Sequence, residues 1–132
     1  MGHLIDSSVL VAAERGLLDL DRLLESHADA AVALAAISAS ELLHGLHRLR
    51  GIRRARSEAF VERVLAALPV IPFDLAAARV HAVLSADLRA KGTPVGAHDL
   101  LIAATAVLRD DTVATRDLRS FPRISGLAVV AW

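Results

Sequence analysis

Apolar residues fall into two rhythms along this chain of 132 residues. Short segments predict strands: Leu4-Ile5 stopping at Asp6, Ala31 to Ile37, Val70-Ile71 bracketed by Pro69 and Pro72, Thr112 to Thr115, and Leu127 to Ala131. The unbroken apolar run from Ala31 to Ile37 is what a strand covered on both faces of a parallel sheet requires. Between these segments apolar residues return every three or four positions, the period of a helix with one buried face. Val9 to Glu14 starts a helix that Gly16 interrupts, and Leu18, Leu23 and Leu24 mark the next, with Asp19 in its first turn. Ser38 and Glu41 have capping-box spacing and predict a helix opening at Ser38 and carrying Leu42, Leu43, Leu46 and Leu49. Phe60, Val61, Val64, Leu65 and Leu68 line another helix, and Val80, Val83, Leu84 and Leu88 one closed by Gly92 and Pro94. The last helix holds Asp99 in its first turn and ends near Arg109. Strands alternating with helices predict an α/β fold, with helices flanking a mostly parallel central sheet. No repeat, low-complexity tract or Pro/Gly/Ser linker divides the sequence, so residues 1–132 read as a single domain.

This topology gathers four acids. Asp6 ends the first strand, and Asp117 follows the Thr112–Thr115 strand. Glu41 sits in the first turn of the helix leaving the Ala31–Ile37 strand. The Asp99 helix feeds into the Thr112–Thr115 strand, so its N-terminus lies at that strand's C-terminal end. In a parallel sheet all four rim the C-terminal edge, where open α/β sheets bind ligands. Each acid also has a structural reading of its own. Glu41 completes the capping box, Asp99 faces a helix dipole, Asp117 caps the turn before Phe121, and Asp6 forms an Asx turn. Together they point elsewhere, because two carboxylates about 5 Å apart repel by roughly 3 kcal/mol at an effective dielectric near 20. A fold that keeps such a cluster needs a cation. All-oxygen sites suit Mg²⁺ or Mn²⁺, which retain waters and take up phosphate oxygens. That chemistry points to phosphodiester hydrolysis by metal-activated water, with one metal or two.

Composition narrows the partners. Hydrophobic residues at 55% and charged residues at 23% exclude a disordered chain. Aromatics make up only 3%, and Phe60, Phe73, Phe121 and Trp132 are scattered, which argues against a base-stacking platform. The absence of Cys excludes disulfides, thiolate metal sites and cysteine nucleophiles, and fits a cytoplasmic location. No leader peptide is expected, since no basic region precedes an apolar core and cleavage site. No membrane span is expected either, because the longest apolar stretches, Ala30 to Ile37 and Leu100 to Leu108, are too short. A soluble protein is expected.

Fifteen basic and fifteen acidic residues cancel, so any charge signal is local. Arg48, Arg50, Arg53, Arg54 and Arg56 fall within nine residues, just beyond the Glu41 helix. They suit RNA phosphates near the acidic edge, or simply a solvated helix end, since cations favour helix C-termini. His44 and His47 share helical spacing with Glu41, but a di-iron bundle motif would need a second Glu-x-x-His, so both read as surface or packing residues. His98 reads as a helix-start residue beside Asp99 that could touch a phosphate, and His81 as structural. Ser7 and Ser8 lack a Ser-His-Asp context and instead hold the turn after Asp6, with Ser8 bonding to Asp6 or to a metal-bound water.

These residues resemble a known family. Leu4-Ile5-Asp6-Ser7-Ser8-Val9-Leu10 is similar to the opening of PIN-domain ribonucleases, and Ile37-Ser38-Ala39-Ser40-Glu41-Leu42 to their second acidic site. Gly96-Ala97-His98-Asp99-Leu100-Leu101-Ile102-Ala103-Ala104 looks like their most distinctive stretch. Val113-Ala114-Thr115-Arg116-Asp117 followed by Phe121 resembles the last motif, and Ile124 to Trp132 the closing strand. The likeness covers nearly the whole chain in order, and its length and spacing are most like VapC-type toxins of bacterial toxin–antitoxin pairs. It implies a PIN-like three-layer sandwich and an endoribonuclease using Mg²⁺ or Mn²⁺. It also implies tRNA or ribosomal RNA as substrate, a homodimer, and a VapB-type antitoxin that blocks the site. An acidic antitoxin segment would then compete with RNA for the arginines. Carried over by motif, Asp6, Glu41, Asp99 and Asp117 form the acidic set, with Asp6 and Asp99 as direct metal ligands. Glu41 and Asp117 would act through water, and Thr115 would orient a water or metal ligand. Ser120 departs from the pattern, where relatives often carry another acidic or polar residue, and this bears on a second metal.

Two other classes compete. A phosphoaspartyl phosphatase would use Asp6 as nucleophile but usually wants an acid two residues on, where this chain has Ser8. A catalytically inactive Mg²⁺-binding or RNA-binding domain would be expected to have lost at least one acid, and all four are present.

Overall fold

In the computed structural model, which describes residues 1–132, five strands lie in the order β3-β2-β1-β4-β5 and every pairing is parallel. The chain runs β1 (His3–Ile5), α1 (Ser7–Glu14), α2 (Leu20–Ser26), β2 (Val32–Ala35), α3 (Ala36–Leu46), α4 (Gly51–Ala67), β3 (Val70–Ile71), α5 (Leu75–Ala90), α6 (Ala97–Arg109), β4 (Thr112–Thr115) and β5 (Val129–Ala131), with a 3₁₀ turn at Phe121–Arg123. Leu4, Ala33, Ala35 and Val113 bury one face of the sheet in a core shared with α5, α6, Phe121 and Ile124. Ile5 and Leu34 bury the other against α1, α3 and α4. This division follows from strand order. Right-handed crossovers stepping outward from β1 to β3 place their helices on one face, and the crossover that returns to β4 places α5 and α6 on the other.

Several boundaries differ from the sequence expectation. The second strand ends at Ala35, and α3 starts at once at Ala36 rather than at Ser38. Ala35 is the cap residue without a side-chain cap, and alanine's helix propensity lets the helix leave the strand directly. Glu41 therefore lies in the second turn and completes no capping box, and Ser38 is fully buried with its hydroxyl unpartnered. The arginine cluster is a helix start rather than a helix end. Leu46 closes α3, Arg50 caps α4, and Gly51 at φ +61° turns the chain into a new helix whose first turn holds no acid. Val83 is 69% exposed, because α5 faces the core through Ala77, Leu84 and Leu88. Leu127 packs on the core ahead of β5, after Gly126 at φ +79° turns the chain. No helix is long and apolar enough to cross a membrane.

Candidate functional site

Strand order reverses between β1 and β4, since consecutive crossovers leave that pair toward opposite faces. Asp6 stands at this switch point, the place where such sheets open a crevice. Its N–H still bonds the Ala114 carbonyl of β4 at 2.9 Å, and its side chain is only 6% exposed. Two hydroxyls donate to its Oδ2, Ser8 at 2.7 Å and Thr115 at 2.9 Å. Each hydroxyl is itself fed by a backbone amide. The Arg116 N–H donates to Ser8 Oγ at 3.0 Å, and the Asp117 N–H to Thr115 Oγ1 at 2.9 Å. A hydroxyl has one proton to give, so this arrangement directs both protons at Asp6. The carboxylate is aimed without being neutralised.

Glu41 reaches the same edge from α3. Ser7 Oγ donates to its Oε2 at 3.0 Å, and His98 Nδ1 lies 3.4 Å from its Oε1. Asp99 enters in the first turn of α6. Burial pushes its carboxyl above the usual range; the Ser120 hydroxyl opposes that shift, and the charges of Asp6 and Asp117 add to it. Asp99 therefore lies close enough to feel the charges of both Asp6 and Asp117. Asp117 behaves oppositely, because Arg119 holds its carboxyl below the usual range. Arg119 donates Nε to Oδ1 at 2.9 Å and Nη2 to Oδ2 at 3.0 Å, while its backbone N–H reaches Oδ1 at 3.1 Å.

The donor set is all oxygen, and no group of three His, Asp or Glu side chains forms a ready-made metal cage. The oxygen chemistry of these donors suits a hard ion such as Mg²⁺ or Mn²⁺ better than zinc. His44 is exposed on α3, and His47 is exposed just past its end. His81 stands edge-on to Phe73 at 5.8 Å, a packing role.

The arginines divide. Arg48, Arg53 and Arg56 line a groove together with Ser7 and Glu41, while Arg50 and Arg54 lie outside it. None of the five makes an ion pair. Arg15, which lines the same groove, and Arg119 were not singled out by the sequence reading. Clamping of Glu41 by Ser7 was also missed, although two hydroxyls directly after an acid at a strand end are a visible signal for such clamps.

The PIN-domain family model matches residues 3–127. This chain belongs to the PIN-domain family. It is 34% identical over 131 residues to Ribonuclease VapC1 of Rickettsia felis, covering 98% of this chain and 96% of that one. Against the tRNA(fMet)-specific endonuclease VapC of Salmonella typhimurium it is 35% identical over 101 residues, covering 76% and 75%. The crystal structure of DNA-bound VapBC from Salmonella typhimurium superimposes with a TM-score of 0.89 at 27% identity, covering 100% of this chain and 98% of that one. The resemblance drawn from the motifs and the expected α/β fold both hold. PIN-domain nucleases generally depend on a divalent metal, and the oxygen donors gathered at this PIN domain's sheet edge suit one.

Proposed function

We propose that this PIN domain is an endoribonuclease toxin that hydrolyses RNA phosphodiester bonds with Mg²⁺ or Mn²⁺ and is restrained by a VapB-type antitoxin in the bacterial cytoplasm. The observation that carries the reading is Asp6, a buried carboxylate aimed by two hydroxyls at an edge shared with Asp99 and Asp117 and given no cationic partner. A divalent ion at that edge would acidify a bound water and take charge from a phosphate oxygen. Asp6 and Asp99 would hold it directly, and Asp117 and Glu41 would do so through water. Thr115 and Ser8 hold Asp6 in one rotamer, and Ser7 holds Glu41. Residues 1–132 act as one catalytic unit.

The unpaired Arg48, Arg53 and Arg56, joined by Arg15, lead RNA phosphates along the groove toward Glu41, with Arg50 and Arg54 adding charge at its rim. Three of these arginines start α4, where the helix dipole disfavours cations, so helix stability does not account for them. tRNA is the substrate that relatives named tRNA(fMet)-specific endonuclease VapC suggest, with ribosomal RNA the other class the motif resemblance implies. An antitoxin finds an apolar groove between α1, α2 and α4, lined by Leu18, Leu24, Phe60 and Val64. A homodimer finds exposed Val70, Phe73, Leu75 and Val83 beside edge strand β3. Val83→Glu should then yield a monomer by light scattering.

Purified, antitoxin-free protein is incubated with total bacterial RNA in Mg²⁺ or Mn²⁺, beside EDTA and Asp99→Asn controls, and new ends are mapped. Discrete cuts that require both metal and Asp99 are expected. Cuts that persist in EDTA or in the variant would overturn the assignment.

A further inference from the structure

Asp117 is the one acid of the edge that already has an arginine partner. The Arg119 fork occupies both of its oxygens, yet the Arg119 side chain is 87% exposed and makes no other contact that would hold it there. The backbone beneath is fixed, because Phe121 is 1% exposed in the core just beyond this turn. Only the side chain has to move for the guanidinium to leave Asp117, whose Oδ1 keeps the Arg119 backbone N–H. Exposed pairs of this kind are weak, worth a factor of about 1.4 to 5 in an equilibrium constant. The planar fork that fits a carboxylate also fits a phosphate.

We propose that Arg119 is the resident counter-ion of this site, holding Asp117 while no divalent cation is bound and turning to an RNA phosphate once one is. The exchange conserves charge at the sheet edge. The metal takes over neutralisation of Asp117, and the released guanidinium meets the incoming backbone. This rests on the endonuclease reading above but makes a separate demand on the molecule. A residue that merely braced Asp117 for the metal would predict the reverse effect, since its loss would let the carboxylate wander.

The test is Mn²⁺ binding to the full chain without RNA, read from the electron-spin-resonance signal of free Mn²⁺. Arg119→Gln should bind Mn²⁺ about two- to fivefold more tightly than wild type, the range expected from losing an exposed competitor. Arg119→Lys, which keeps the charge and loses the fork, should fall between them. Placing Arg119→Gln on Asp117→Asn should abolish the gain, as a coupled pair requires. Weaker or unchanged Mn²⁺ binding in Arg119→Gln would overturn the exchange. For the second half, binding of a cleavage-resistant, phosphorothioate-linked single-stranded RNA to the Mn²⁺-loaded protein is measured against salt. Loss of Arg119 should reduce the logarithmic slope by about 0.7, one phosphate contact, and an unchanged slope would remove RNA from the proposal. Failure of the endonuclease reading would look different: a wild-type protein that binds Mn²⁺ and cuts nothing.

Discussion

Two aspartates flank the β1–β4 pair at opposite ends of the sheet, and both are buried. Asp6 follows β1 and is 6% exposed; Asp111 precedes β4 and is 8% exposed. Asp111 is fully provided for. The Gly2 N–H donates to its Oδ1 at 3.0 Å and Arg109 Nε to its Oδ2 at 2.9 Å. A Cβ at Gly2 would run into the Ala31 carbonyl, so glycine is what lets the chain approach closely enough to bring its N–H to Asp111. Asp6 receives hydroxyl protons only, both on Oδ2, and no cation. A buried carboxylate closed by a guanidinium is part of the scaffold. One that is oriented by hydroxyls alone, at an edge it shares with other acids, is placed to receive a cation.

Exchanging the two roles by mutation gives the largest effects. Asp6→Asn should lower RNA cleavage by at least about 100-fold while thermal stability without metal holds or rises, because a repelling charge has gone. Asp111→Asn should do the opposite. It should destabilise the fold by about 2 kcal/mol through loss of a charged hydrogen bond, with cleavage per folded molecule unchanged. Paired melting curves and cleavage assays on both variants read this directly. Should Asp111→Asn stop cleavage in a folded protein, the division between scaffold and site collapses.

Thr115 sharpens the same contrast, since it is fully buried and belongs to both the strand and the site. Thr115→Val keeps the β-branched shape and removes the hydroxyl that aims Asp6 and accepts the Asp117 N–H. Cleavage should fall about 10- to 100-fold, the usual effect of losing a group that orients a metal ligand, against a stability loss of about 1 kcal/mol. Thr115→Ser should recover most of the cleavage. Equal losses in Thr115→Val and Thr115→Ser would assign Thr115 to packing alone.

The sheet edge was legible in the sequence because it depends on topology. Once the period of the apolar residues switches between strand and helix in alternation, Asp6 and Asp117 must fall at strand ends and Asp99 at a helix start. What escaped depends on single dihedral angles. The beginning of α3 at Ala36 rests on the backbone of Ala35, and no side-chain signal marks it. The reversal of the arginine cluster, from helix end to helix start, turns on Gly51 adopting a positive φ. The Arg119–Asp117 fork joins residues two apart, a spacing that no helix brings face to face, and it lies past the end of β4, so the turn creates it. Charge clusters were visible; which of their members pair off was not.

The smallest effect belongs to the scaffold end. His3 begins β1 between His27, edge-on at 5.1 Å, and Trp132, also at 5.1 Å, and its Nδ1 is buried without a partner. His27 has its own Nδ1 against the Leu23 carbonyl and the Ser26 hydroxyl, both at 3.0 Å. Burial and the neighbouring His27 hold the His3 pKa below its ordinary 6.5, and the attraction of Asp111 and Asp29 does not reverse this. The folded protein therefore resists a proton that the unfolded chain accepts. Stability is complete above pH 6.5 and is lost as pH falls through the lowered folded value. His3→Phe preserves the stack and removes the titration, so its advantage in melting temperature over wild type should grow on going from about pH 7.5 to 5.5. Cleavage per folded molecule at a fixed pH should stay at the wild-type level. A constant offset between the two melting profiles would mean that the cluster contributes by contact alone. A change in cleavage would mean that the two ends of the sheet are coupled, contrary to what the partners of Asp6 and Asp111 imply.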